Sequence, residues 1–131
     1  MASNQYPSLA QSGSNVHVLN VAFHTTAAAE DKNVHIMHVT QDILVLFAKV
    51  VFETIDTFAS GVDIDLESDN GTTELVLATY DTAGGTAVDT VYAMTPAASM
   101  QVAGGYRLQL HIDDDEDTAC IGHVELQYIT V

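Results

Sequence analysis

From Val16 onward the hydrophobic positions recur at every second residue, the period of a strand with one face buried. In the first segment Val16 and Val18 share one side, while Leu19, Val21 and Phe23 share the other. Val34, Ile36 and His38 then alternate with His35, Met37 and Val39. The run Ile43 to Phe52 is apolar on both sides and reads as a strand covered on both faces. Strict alternation follows, with Val62, Ile64 and Leu66 inward and Asp63, Asp65 and Glu67 outward. Ser68-Asp69-Asn70-Gly71 predicts a hairpin turn, because Asn-Gly accepts the positive φ that such turns require. Strands are predicted again over Glu74 to Tyr80 and Ala87 to Met94, separated by the glycine turn Asp81 to Gly85. Ala97 to Gly104 reads as a loop or a short helical turn. Leu108, Leu110 and Ile112 then alternate with Arg107, Gln109 and His111, and Val124, Leu126 and Tyr128 alternate with Glu125, Gln127 and Ile129.

About eight short strands between Gly, Asn and Asp turns predict an all-β chain, an antiparallel β-sandwich of jelly-roll-like design. The 131 residues suit one domain, over 16–131. Residues 1–15 are too polar to join a core and read as an extended N-terminal arm. They lack the basic and apolar regions of a secretion signal, so synthesis in a cytoplasm as a soluble protein is expected. The longest apolar run is broken by Lys49 and is shorter than the ~20 residues of a membrane helix. The single cysteine, Cys120, sits between Ala119 and Ile121 and reads as a buried small hydrophobe.

Charge changes the picture most. Eighteen acidic residues face three basic ones, Lys32, Lys49 and Arg107, for a formal net charge of −15. Phosphate recognition needs clustered cations, so nucleic acid and anionic membranes are not expected partners. Charge of this size repels itself in dilute salt. A folded, acid-rich, lysine-poor domain is expected to suit high salt, where the screening length falls to about 3 Å at 1 M.

Motifs for chemistry are weak. The metal candidates are His111 and His123, on consecutive predicted strands, with Asp113 and Asp115 in the acidic run Asp113 to Asp117 between them. A zinc site needs three or four convergent ligands, and a third is not evident beside the two histidines. The acidic run reads as a solvated loop. No nucleophile-elbow, phosphate-loop or dinucleotide glycine pattern is present. No enzyme activity and no cofactor are expected.

The order of features resembles that of the small β-sandwich accessory proteins of tailed viruses, which decorate or cement the head. The resemblance is carried by the apolar strand Ile43 to Phe52, the turn Phe58-Ala59-Ser60-Gly61 and the strand Val62-Asp63-Ile64-Asp65-Leu66. It continues through Gly104-Gly105-Tyr106-Arg107-Leu108 to the terminal Glu125-Leu126-Gln127-Tyr128-Ile129. It implies a structural virion protein, a capsid decoration or head accessory subunit such as a turret or spike base, often trimeric. Its partner would be the major capsid protein, and its acidity would fit a virus of halophilic archaea or marine bacteria. The alternative from a different class is a stand-alone carbohydrate- or cation-binding module. An absence of Trp, with only five Tyr, argues against a sugar platform.

Overall fold

The computed structural model describes residues 16–26, 28, 30–55, 61–82, 86–114 and 119–131. The predicted arm over 1–15, the turn over 58–60 and Asp115 to Asp117 of the acidic run lie outside the described residues. Among the described residues ten strands form: β1 (Val16–Thr25), β2 (Glu30–His38), β3 (Ile43–Ile55), β4 (Val62–Asp69), β5 (Glu74–Asp81), β6 (Val91–Ala93), β7 (Thr95–Pro96), β8 (Gln101–Val102), β9 (Arg107–Asp114) and β10 (Cys120–Thr130). They build two antiparallel sheets. Sheet A has the order β1-β10-β3-β6, with β8 also on β3, and sheet B has the order β2-β9-β4-β5-β7. Without the two-residue strands this is the pairing of a jelly roll, in which successive strands alternate between sheets except at the β4–β5 hairpin.

The predicted Asn-Gly turn joins β4 to β5. Gly71 has φ of 91°. The Asn70 side-chain oxygen accepts the Thr72 and Thr73 amides at 2.9 and 2.6 Å, and Asp69 accepts the Gly71 amide at 2.8 Å. That local network sets the pairing next to the turn, from Asp69 with Glu74 to Glu67 with Val76, and a bulge at Leu77 shifts the register beyond it.

The core lies between the sheets. Val62, Ile64, Leu66, Leu108, Leu110 and Leu126 are all fully buried, as their period predicts. Phe52 meets Phe23 edge-on, with ring centroids 5.7 Å apart. Gly122 makes that pair possible, because a Cβ there would stand 2.4 Å from the Val51 carbonyl oxygen and 2.8 Å from the Phe23 ring.

Bulges break the simple alternation. On β3, Glu53 and Leu46 fall opposite register shifts against β10; on β2, Ile36 does so against β9. Two expectations are corrected, and a third is narrowed to its loop alternative. The strand Ile43 to Phe52 is buried only toward the core, and its outer side is partly open. Ala87 to Met94 is strand only at Val91–Ala93, because Asp89 takes φ of 57° and turns the chain. Ala97 to Gly104 holds no helix and contributes the short β8.

Candidate interaction faces

Each sheet has one face in the core and one outside. Period two makes the outer faces as well defined as the core. On sheet B, strand register aligns Asp31 of β2, Asp113 of β9, Asp63 of β4 and Asp81 of β5 in a single row. The next row holds Asn33, His111, Asp65 and Thr79. Further along come Gln109 beside Glu67, and Arg107 beside Asp69 and Glu74. Neighbouring strands lie about 4.8 Å apart, so these carboxylates act on one another directly.

Electrostatics follow from that packing. Burial holds the Asp63 carboxyl above the usual aspartate range, and the charge of Asp81 and a hydrogen bond to it add to the effect, followed by Asp65 and Asp113. Burial also raises Glu67, against a hydrogen bond of 3.1 Å donated by Gln109 Nε2. Asp69 is held low instead, by the Gly71 amide and by the Arg107 guanidinium at 2.8 Å.

The sequence-predicted metal candidates are not brought together. His111 is on β9 in sheet B and His123 is on β10 in sheet A. Both point outward, so the core separates them; strands consecutive in sequence cross between sheets here rather than forming a hairpin. His111 has one ring nitrogen 2.7 Å from Asn33 Oδ1 and the other 3.0 Å from Asp31. His123 Nδ1 lies 3.2 Å from Glu53. Asp113 belongs to the aspartate row, and Asp115 lies outside the described residues. No group of three or more His, Cys, Asp or Glu side chains among the described residues is placed to hold a metal ion. The acidic run is also not wholly a solvated loop, since Asp113 and Asp114 are strand residues and Asp114 is buried. Cys120 is buried, with its sulfur 3.3 Å from Thr25 Oγ1, and burial pushes its thiol up, away from the reactive thiolate.

The outer face of sheet A is of another kind. Register places Val16, Ile129 and Leu44 in one row, and Val18, Gln127 and Phe47 in the next. Asn20, Glu125, Lys49 and Ala93 follow, then Ala22, His123, Val51 and Val91. Val18 and Val91 are 52% and 58% exposed. The β3 bulge turns both Leu46 and Phe47 outward, where alternation would have buried one of them. Charge on this face centres on Lys49, 3.5 Å from Glu125, with Glu53 beside His123 toward one end.

At the open edge of β3, between β6 and β8, Leu46, Phe47, Val91, Met94, Pro96 and Met100 line a groove of about 380 Å³. Sequence reading missed it, because it depends on the bulge and on two short edge strands. The apolar excess of Ile43 to Phe52 was the available signal.

No family model, no curated protein and no solved structure matches this chain.

Proposed function

We propose that the protein is a non-catalytic structural subunit that binds other protein, with the outer face of sheet A as its contact and that of sheet B turned to solvent. One observation carries this reading: eight described carboxylates, from Asp31 on β2 to Asp81 on β5, share the outer face of sheet B, while that of sheet A keeps exposed Val, Leu, Ile and Phe around the central Lys49–Glu125 pair. Exposed apolar patches rimmed by polar residues mark interfaces. The described tyrosines, Tyr80, Tyr92, Tyr106 and Tyr128, all pack against the core, which favours a protein partner over a sugar.

In its finer form the proposal is an accessory subunit of a virion, a decoration or cement protein held on the major capsid protein in high salt. The jelly roll supports that reading without singling it out, because lectins and cupins share it. The test is co-sedimentation with empty capsid shells of the encoding virus in molar salt. Val18→Asp and Val91→Asp are expected to abolish binding, and Thr79→Asp, on the acidic face, to leave it intact. Binding lost with Thr79→Asp and kept with the other two would reverse the faces. Shells that never retain the wild type would remove the virion reading.

A further inference from the structure

We propose that in the free protein, away from any shell, a second copy of this chain covers the outer face of sheet A, related by a two-fold axis lying in the contact plane and running along the strands between β10 and β3. This rests on the reading of that face as the contact face. A two-fold contact must be complementary to itself, since each residue pair occurs twice with its roles exchanged.

The centre of the face meets that demand. Lys49 and Glu125 sit side by side in the middle row, on the two central strands. An axis between those strands lays each Lys49 over the partner's Glu125, so a single cation and a single carboxylate become a closed square of alternating charge. The edges match as well. The same axis carries β1 over the partner's β3–β6 edge. Val18, in the row of Phe47, then faces the apolar groove beside Phe47, and Ala22 faces Val91.

Size and charge agree. Four strand widths by five rows give a patch of roughly 600 Å² on each copy, near the lower bound for a specific interface. Stacking in the order B-A-A-B holds the two acidic faces about 30 Å apart, several screening lengths in physiological salt. A contact through sheet B would press the aspartate rows of two copies together. Such a contact makes pairs, whereas the resemblance implies trimers.

The test is sedimentation equilibrium at about 0.15 M salt, where central charges are still felt. The wild type is expected to weigh two chains. Lys49→Glu alone sets four carboxylates together and Glu125→Lys alone sets four cations together, and each is expected to weaken pairing by roughly tenfold or more. Mixing the two variants is expected to restore pairing as a heterodimer, which also shows that neither has misfolded. A monomeric or three-chain wild type, single variants that pair normally, or a mixture that stays apart overturns the proposal. The underlying reading has its own outcome. If the wild type is a monomer yet Val91→Asp still abolishes shell binding, the contact face stands and its occupant is another protein.

Discussion

Strands β9 and β10 are consecutive in sequence and lie back to back across the core, yet their outward residues belong to different chemistries. β9 offers Arg107, Gln109, His111 and Asp113 beside the carboxylates of β4, while β10 offers Ile121, His123, Glu125, Gln127 and Ile129 beside the apolar side of β3. Their inward residues are largely of one kind, Leu108, Leu110 and Ile112 on β9 and Val124 and Leu126 on β10, all fully buried. The contrast teaches that the core sets the fold and leaves the outer faces free to differ. Here one face concentrates repulsion and the other remains available for contact. The division is not complete, since Val76 is exposed beside Glu67 on the acidic face.

The comparison can be broken in several places. The largest expected effect is Gly122→Ala, which forces a Cβ into the Val51 carbonyl and the Phe23 ring. A loss of about 3 kcal/mol in urea unfolding is expected. The loss should persist in molar salt, because it is steric; a deficit that salt removes would contradict that account. Next comes Val91→Asp, which should change stability by less than about 0.5 kcal/mol, being exposed. It should weaken protein association by roughly a hundredfold, since an unpaired charge would be buried. Thr79→Asp should leave association unchanged in the same sedimentation assay.

Smaller is Asp63→Asn, which should stabilise the fold by about 0.5 kcal/mol at pH 7 in dilute salt by relieving cross-strand repulsion. The raised Asp63 pKa fixes the sign: protonation favours the folded state, and that advantage is lost as pH rises through the folded value. The variant's gain should therefore fade on acidification, vanish below the ordinary value of 3.8, and shrink in molar salt. Thermal melts across pH check both. A gain unchanged at low pH would point to packing instead. The smallest effect is expected for Arg107→Ala. Because Asp69 is held low, the Arg107 contribution is present above the usual aspartate range and lost as pH falls through the depressed value. Wild type and variant should melt together in strong acid.

Much of the fold was legible in the residues. Alternation separated the two faces of β1 and identified the inward faces of β4, β9 and β10, and Asn70-Gly71 identified the β4–β5 hairpin. Alternation is blind to which sheet a strand joins, so it set His111 near His123 when the chain crosses the core between them. It is also blind to bulges, where one extra residue reverses the faces that follow. Leu46 and Phe47 come out together for that reason, and the groove with them. The two-sided apolar character of β3 was legible, but its second side is an outer face rather than a second buried layer. The aspartate row was legible only strand by strand, because register across β2, β9, β4 and β5 depends on pairings far apart in sequence.

The place of β10 carries a consequence for how the molecule comes into being. It is the last strand described, and it lies between β1 and β3, the first and third. Val16 pairs with Ile129, so β1 waits for more than a hundred further residues before its ladder can close. At translation rates of about 5–20 residues per second, β1 and β3 would stay unsatisfied for several seconds, with their hydrogen-bonding edges open. Folding should be slow and late, as expected where pairing is mostly non-local. A nascent chain halted before Cys120 should remain open to proteolysis, and release of the remaining dozen residues should convert it to the resistant form in one step.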